Sequence, residues 1–413
     1  MHAAPEHRVG SGGQRFAIRG RVWDAEDAGL QEALAIIHGT SERPRCLCVP
    51  GGVEMYVARL RHYVIKRLPN AGSRHHPRCD SFEPEGSLSG LGTLAGSAVR
   101  ELDTGRTELR VDFPWTRRLG RSATHGPAVD AGQVGSAAPR LSLRAVMHFL
   151  FERAGFNRWT PAMAGRRNQG VVRKYLLEAA EAIDVAGGPL ADRLFVPEAF
   201  NEAAKAEAAR RRREKLAMLQ PHTETTPLAL LIGEFKAMEV VEEGRRVRIK
   251  HMPDAPLLID NRLWERLARR YAPLFEARDA DTGLRVRLVI AALIKARREL
   301  TYEIDAASLM MTSEQWIPAD GVHELPLIDA LVREGRRFIK PLRYDAPSTE
   351  AFANAMLSDV GPELQPLHIV SPYMDERSQA AKRRAIERAS PAAWVWETDR
   401  PMPALPKIAD RPG

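Results

Sequence analysis

The spacing of apolar residues changes twice along this 413-residue chain. Between residues 53 and 65 apolar and polar residues alternate, which predicts a β-hairpin. Between residues 141 and 183 apolar residues recur every three or four positions, which predicts two helices joined by a polar loop. From Leu228 onward, alternating and helical stretches follow one another, as in mixed α/β domains. The pattern therefore predicts an α+β protein.

Differences in composition between segments predict several domains. Residues 120–140 are rich in Gly, Ala, Ser and Pro without a period, so we interpret them as a flexible linker. A chain of this length also exceeds what one hydrophobic core usually supports. The predicted domains are a β-rich N-terminal module at residues 1–119, a basic helical region at 141–225 and a mixed α/β domain at 226–413.

The bulk composition limits the class of protein. The longest aliphatic run covers residues 288–294, which is far short of the roughly 18 residues that a membrane span needs. The three cysteines cannot all pair, and the first ten residues lack the apolar core of a signal peptide. We therefore expect a soluble protein of the reducing cytoplasm that has no membrane partner.

Basic residues exceed acidic ones, and the excess is concentrated in one segment. The formal net charge is +8, and residues 140–180 contain eight Lys and Arg but only Glu152 and Glu178. Because basic side chains that bind phosphates release condensed counterions, such a segment indicates nucleic acid as a partner. The alternative is a solvated basic face without a ligand. The phosphate contacts that we predict come from Arg158, Arg166, Arg167, Arg173 and Lys174.

All three cysteines lie close together in the sequence. They are Cys46, Cys48 and Cys79, and His75 and His76 shortly precede the last of them. Zinc prefers thiolate and imidazole ligands, and a structural site needs four of them in a tetrahedron. Three thiols and either histidine supply four ligands, and two ligand pairs at the ends of a hairpin are typical of a zinc ribbon. We therefore predict a closed, structural zinc site, with unrelated buried thiols as the alternative.

Several stretches of the chain resemble one bacterial family, the domain of unknown function numbered eleven seventy-three. The stretches include CLCVPGGVEMYVARL, HHPRCDSFEPE, TSEQWIP and RRFIKPLRYD, and the resemblance covers nearly the whole chain. It implies no established activity. It does imply an association with integrative and conjugative elements and plasmids, and hence protein partners encoded on the same element. It also implies that His75 is the fourth metal ligand, whereas Ser73 stands where the family has a further histidine.

The C-terminal domain offers one enzymatic alternative. The pattern predicts a helix near residues 324–333, a strand at RFIKPLRYD, two strands at NAMLSD and PLHIVS, and a helix at about 375–389. This order resembles the core of restriction-endonuclease-like nucleases, in which carboxylates hold Mg²⁺. Asp359 occupies one acidic position, but His368 and Val370 stand where a carboxylate and a lysine are expected. Because Mg²⁺ prefers oxygen ligands, we expect either a degenerate core that only binds or an accidental similarity. The sequence also lacks a phosphate-binding P-loop and an H-E-x-x-H motif.

These observations predict a zinc-stabilised, non-catalytic accessory protein of mobile elements that associates with nucleic acid. A metal-dependent nuclease that uses Asp359 is the first alternative. A protein–protein scaffold of a replication or transfer complex is the second. Trp394 and Trp396 stand two apart on a predicted strand and are candidates for stacking on bases, although most tryptophans in such positions belong to the core.

Overall fold

The computed structural model describes residues 14–59, 62–68, 71–102, 104–118, 139–220, 225–242, 244–298, 301–346, 352–389 and 393–409. These residues form nine α-helices and five sheets, so the predicted mixture of α and β structure is confirmed. The linker predicted at 120–140 lies outside the described residues except at its last two positions. None of the helices in the described part of the chain combines the length and the apolar character that a membrane span requires.

The N-terminal region consists of a five-stranded antiparallel sheet and one short helix. Its elements are β1 (Arg15–Ile18), β2 (Arg21–Asp24), α1 (Leu30–Ile37), β3 (Arg45–Cys46), β4 (Val53–Arg59) and β5 (Tyr63–Arg67). The strand order is β2-β1-β3-β4-β5. Strands β4 and β5 pair with Met55 opposite Arg67 and Arg59 opposite Tyr63, which confirms the predicted hairpin.

Short strands and helices alternate in the next region. Its elements are β6 (Val99–Glu101), β7 (Thr107–Leu109), β8 (Thr116–Arg118), α2 (Leu143–Arg153), β9 (Arg158–Trp159), α3 (Gln169–Glu181), β10 (Ile183–Val185), β11 (Gly188–Pro189), α4 (Leu190–Arg193), β12 (Leu194–Phe195) and α5 (Lys205–Leu216). Ser142 and Asn168 cap α2 and α3, because each side chain accepts a hydrogen bond from the backbone N–H three residues later. The two helices predicted between residues 141 and 183 are thus confirmed.

Long strands then form a closed barrel. The elements are β13 (Thr225–Pro227), β14 (Ala229–Val241), β15 (Gly244–Ile249), β16 (Met252–Ile259), α6 (Asn261–Arg270), α7 (Ala272–Asp279), β17 (Val286–Arg298), β18 (Thr301–Ser313) and β19 (Pro318–Ala319). The pairing runs β14-β15-β16-β18-β17, and β17 pairs back onto β14, which closes the circle. Strands β16 and β18 are parallel, and the other four pairs of the circle are antiparallel.

One strand joins the two halves of the barrel. The first part of β14 pairs with β17, from Ala229 opposite Ile294 to Glu234 opposite Val289. Its second part pairs with β15, with a register shift between Phe235 and Ala237 that has the form of a β-bulge. A bulge bends its strand and increases the local twist, so a single strand can belong to both halves of a closed barrel.

The last part of the chain forms a smaller mixed sheet. Its elements are α8 (Glu324–Arg333), β20 (Phe338–Ile339), β21 (Ala355–Leu357), β22 (Gln365–Val370), α9 (Glu376–Ala389) and β23 (Trp394–Glu397). The order is β23-β22-β21-β20-β9, with β22 and β23 parallel and the other pairs antiparallel. The helix expected near residues 324–333 is confirmed, whereas the strand expected across RFIKPLRYD is only two residues long.

Strand pairings connect the segments that composition separates. Strand β7 pairs with β10, β8 with β13, and β9 with β20. In addition, the Gly90 N–H donates to the Leu342 carbonyl oxygen. A side chain at position 90 would place its Cβ 1.9 Å from the Arg343 carbonyl oxygen, so this close approach requires glycine. The domain boundaries predicted from composition stay predictions.

Candidate metal centre

The predicted metal ligands come from two turns on either side of one hairpin. Cys46 ends β3 and Cys48 lies in the turn before β4. His75 follows a short 3₁₀ turn at Gly72–Arg74, and Cys79 lies in the next turn. The turn after Cys48 contains Gly52, whose positive φ of 67° suits a residue without a side chain.

The structure brings these four side chains together. Their ligand atoms all lie within 4.8 Å of one another. The Cys46 and Cys79 Sγ atoms are 3.7 Å apart, and His75 Nδ1 lies 3.3 Å from Cys48 Sγ and 3.7 Å from Cys79 Sγ. Tetrahedral zinc, with bonds of about 2.3 Å to sulfur and 2.0 Å to nitrogen, separates two sulfurs by about 3.8 Å and a sulfur and a nitrogen by about 3.5 Å. The spacing therefore fits one tetrahedral metal ion.

The structure distinguishes the two adjacent histidines. His75 is buried and directs Nδ1 at the thiols. The His76 Nδ1 atom instead accepts a hydrogen bond from the Arg78 backbone N–H, and the His76 backbone N–H donates to Cys48 Sγ. His75 thus belongs to the cluster, as the resemblance implied, and His76 supports it from outside.

Polar groups around the thiols shift their protonation. The hydrogen bond between the Cys46 and Cys79 side chains raises the pKa of Cys79 to about 12 and lowers the pKa of Cys46. Burial raises the pKa of Cys48. Gln14 Nε2 donates towards Cys79 Sγ at 3.4 Å and towards Cys46 Sγ at 3.6 Å. Amide donors of this kind stabilise the thiolates that a bound metal creates by displacing the thiol protons.

The turns that carry the four candidate ligands, called the metal turns below, are docked on the small C-terminal sheet through the turn of His75 and Cys79. Phe82 packs against Ile339 of β20 and Met356 of β21. The Arg78 guanidinium donates to the Ser358 carbonyl oxygen at 3.4 Å and to the Asp359 carbonyl oxygen at 3.1 Å. A site held in this way orders the turns around it and connects distant segments, which is the arrangement of a structural metal centre.

Comparison with known proteins gives a family. The model of a family described as "protein of unknown function (DUF1173)" matches residues 16–399. The chain belongs to this family. No curated protein and no solved structure matches it.

Two of the five basic residues predicted to bind phosphates instead form hydrogen bonds and an ion pair within this DUF1173 protein. Arg167 is largely buried and donates to the carbonyl oxygens of residues 155, 156, 158 and 315. Burial lowers the pKa of its guanidinium to about 9. Arg173 donates to the Val196 carbonyl oxygen and forms an ion pair with Glu198 at 3.6 Å. Both side chains hold the loop and α3 in place.

The other three residues have different surroundings. Arg158 lies on β9, half-buried, and burial lowers the pKa of its guanidinium. Arg166 is exposed in the loop before α3. Lys174 is exposed on α3 and lies 3.8 Å from Glu178. The structure thus does not bring the five side chains onto one open surface, and their contact with nucleic acid stays a prediction.

Asp359 has an internal partner as well. It is buried, and the Arg336 guanidinium donates to both of its carboxylate oxygens, at 3.1 and 2.8 Å. The Arg337 backbone N–H donates to it too, at 2.7 Å. His368 is buried without a hydrogen-bond partner among the described residues. Across the described part of the chain, the three-cysteine, one-histidine group is the one cluster with the composition and spacing for a metal.

The two tryptophans of β23 are core residues. Trp394 and Trp396 are buried, and their indole N–H groups donate to the carbonyl oxygens of Ala404 and Arg400, each at 2.9 Å. Sequence reasoning missed Gln14 as a neighbour of the thiols, because one glutamine carries no recognisable spacing. It also missed a row of arginines on α6, although their separation by three, four and eight positions was visible in the sequence.

Proposed function

We propose that this protein is a zinc-stabilised, non-catalytic protein that binds nucleic acid. The observation that carries the nucleic-acid part is the strand order of the barrel. If its strands are counted from β14, the circle runs first, second, third, fifth, fourth and back to the first. The third and fifth strands are parallel, and helices α6 and α7 connect the third strand to the fourth.

This order is that of the OB-fold, a small barrel whose side and connecting loops bind oligonucleotides in many proteins. A long first strand shared between the two halves of the barrel, as β14 is, belongs to the same design. Because one fold serves several functions, the order alone gives a class of ligand and no more. The net charge of +8 then favours a polyanion over a sugar or a peptide.

The zinc part of the proposal is supported by the distances between the ligands. The three separations between ligand atoms, 3.3 to 3.7 Å, lie close to the edge lengths of a zinc tetrahedron. Three thiolates and an imidazole also select zinc over Mg²⁺ or Ca²⁺, which prefer oxygen ligands. Because all four ligands come from the protein, the metal keeps no open position for a reacting water.

The non-catalytic part is supported by the surroundings of Asp359. A magnesium-dependent nuclease needs several free carboxylates around the metal. Here the carboxylate accepts hydrogen bonds from Arg336 and from a backbone N–H, and His368, which stands where the nuclease pattern has a carboxylate, is buried. The proposed setting, a cytoplasmic accessory role on integrative and conjugative elements or plasmids, rests on the family resemblance and on the free thiols.

One pair of measurements tests this proposal. Fluorescence anisotropy with labelled single-stranded DNA, single-stranded RNA and duplex DNA should show binding that weakens steeply as salt rises. Plasma mass spectrometry should find one zinc per chain in the wild type and in His76→Ala, and a loss of zinc in Cys46→Ser and His75→Ala. Absence of binding to all three polynucleotides at low salt would refute the nucleic-acid part. Absence of zinc would refute the metal part.

A further inference from the structure

Helix α6 carries a row of four arginines on one face. They are Arg262, Arg266, Arg269 and Arg270, and all four are exposed. Their spacing of four, seven and eight residues puts them on neighbouring positions of one helical face. At a rise of 1.5 Å per residue, the row is about 12 Å long. We call these four residues the α6 arginine row.

The α6 arginine row has no ion-pair partner within the described residues. No carboxylate lies within 4.0 Å of any of its four guanidinium groups there, and the one further contact is the guanidinium of Arg270 over the ring of Tyr271. The nearest acidic residue in the helix, Glu265, forms an ion pair with Arg245 of β15 at 3.6 Å. The arginines of α5 are different, because Arg210 and Arg211 pair with glutamates. The row is thus a positive surface whose charge is not neutralised internally.

The barrel fixes the position of the row. Asp260 directly follows β16 and caps α6, because its side chain accepts hydrogen bonds from the backbone N–H groups of Arg262 and Leu263. The opposite face of the helix buries Leu267, and Trp264 packs against Phe235 and Phe275. The barrel therefore holds α6 on its apolar face and leaves the arginines towards solvent.

The start of β15, the end of β16 and the start of β18 lie side by side next to α6. Arg245 stands opposite Ile259, and Ile259 stands beside Ile304. These strand ends adjoin the connections from β14 to β15 and from β17 to β18, which correspond to the two loops that border the ligand groove of an OB-fold. Arg246 on β15 is half-exposed and adds a further cation without an ion pair among the described residues. The start of β15 thus carries a cation of its own in addition to the α6 arginine row.

We propose that a single-stranded nucleic acid lies across this rim and that its phosphates contact the α6 arginine row. The inference rests on the proposed function, and it names the surface and the kind of ligand. An OB-fold rim accommodates one strand in its groove, whereas a duplex is too wide for it. Because Trp264 is engaged with two other rings, base stacking on α6 contributes little, and phosphate contacts dominate. The complex should therefore be sensitive to salt and nearly indifferent to base sequence.

The test compares two variants that lose the same charge. The first replaces the whole row: Arg262→Ala, Arg266→Ala, Arg269→Ala and Arg270→Ala. The control replaces four other arginines whose side chains are all more than half exposed: Arg19→Ala, Arg285→Ala, Arg333→Ala and Arg400→Ala. Thermal unfolding followed by circular dichroism should show both variants folded, because every replaced side chain is exposed and, within α6, alanine favours the helix.

Affinity for labelled oligothymidylate, oligouridylate and a DNA duplex is measured over a range of salt. The row variant should lose about 10²- to 10³-fold in single-strand affinity near 0.1 M salt, and the slope of log affinity against log salt should fall by about 3. The control should stay within about threefold of the wild type, since distant charges are screened. A similar loss of affinity for oligothymidylate and for oligouridylate in the row variant would support the proposal. The oligonucleotide that the wild type binds more tightly is then the preferred ligand.

Four results would have different meanings. Wild-type affinity in the row variant would refute this inference and leave the proposed function intact. Equal losses in the row variant and the control would also refute it, because bulk charge would then explain binding. Tighter binding of the duplex than of either single strand would overturn the choice of ligand. A wild-type protein that binds no polynucleotide would refute the proposed function itself, together with this inference.

Discussion

The N-terminal region and the barrel hold their strands together by different means. The N-terminal sheet has two small apolar clusters, one with four buried residues around α1 and one with three around Cys46. The barrel strands β14 and β17 contribute buried residues to both of the large cores, one on each face. A region with so few buried side chains needs a metal or docking onto a neighbour, whereas the barrel is stabilised by its own burial. Four predictions follow this difference, from the largest expected effect to the smallest.

Loss of the metal should unfold the N-terminal region and spare the barrel. In Cys46→Ser, or in wild type treated with a zinc chelator, amides of β3 and β4 should exchange with solvent as in an unfolded chain. The physical reason is that structural zinc contributes on the order of 10 kcal/mol to folding of small modules. Hydrogen exchange followed by mass spectrometry measures the effect, with His76→Ala as the control. Full protection of β3 and β4 in Cys46→Ser would contradict it.

A cavity among the buried side chains of the barrel should destabilise the whole folded protein. Leu293 on β17 is fully buried between the barrel and α2, so Leu293→Ala should lower the free energy of unfolding by about 2–5 kcal/mol. Urea denaturation gives this value. The matched change Leu34→Ala, in the small cluster at α1, should have a smaller effect confined to the N-terminal region. Equal effects of the two changes would show that the regions do not differ in this way.

Loss of the contacts between the metal turns and the C-terminal sheet should lower the free energy of unfolding by an intermediate amount. Arg78→Ala removes two hydrogen bonds to the carbonyl oxygens of Ser358 and Asp359 and should cost about 1–3 kcal/mol. Faster amide exchange should appear in β20 and β21 together with the metal turns, while zinc content stays at one per chain. Exposed Arg74→Ala is the control. Loss of zinc in Arg78→Ala would instead make the arginine part of the metal site.

Acid should weaken the C-terminal sheet through a buried histidine. Burial, with nearby Lys382, lowers the pKa of His368 from 6.5 to about 3. Between these pH values the unfolded chain binds more protons than the folded one, so stability falls as pH is lowered through this window. The slope contributed by one histidine is at most about 1.4 kcal/mol per pH unit.

The replacement His368→Leu should make unfolding less sensitive to pH between about 4 and 6. Burial also lowers the pKa of His148 to about 3. His148 therefore contributes the same pH dependence of stability to the wild type and to His368→Leu. Urea titrations at a series of pH values measure the difference. Identical slopes in wild type and His368→Leu would mean that His368 is not neutral in the folded protein.

The sequence was sufficient wherever the relevant partners lie close together in the chain. Three thiols and His75 fall within residues 46–79, so residue type and spacing indicated the metal cluster. The recurrence of apolar residues every three or four positions between residues 141 and 183 likewise predicted α2 and α3, which the structure caps with Ser142 and Asn168. Alternation between residues 53 and 65 also identified the hairpin of β4 and β5.

The remaining features depend on partners far away in the sequence. Closure of the barrel requires Ala229 to pair with Ile294, which no local pattern of apolar residues specifies. Arg167 is of a residue type that often binds phosphate. In the structure, however, one of the carbonyl oxygens to which it donates belongs to Gln315, which lies 148 residues later in the chain. The net charge of a sequence segment therefore does not show which of its arginines face solvent. That information comes from the carboxylate and carbonyl oxygens that surround each guanidinium group in the folded structure.

The order of synthesis gives the docked metal turns a further significance. Arg78 contacts a carbonyl that is 280 residues further along the chain, although the four metal ligands are all translated by residue 79. At about 5–20 residues per second, a ribosome needs roughly 15–55 seconds to bridge that distance. During this interval the nascent chain presents a complete ligand set without the sheet that will cover it. Metal capture on the ribosome would then come first, and the preformed turns would wait as a template for the last strands to emerge.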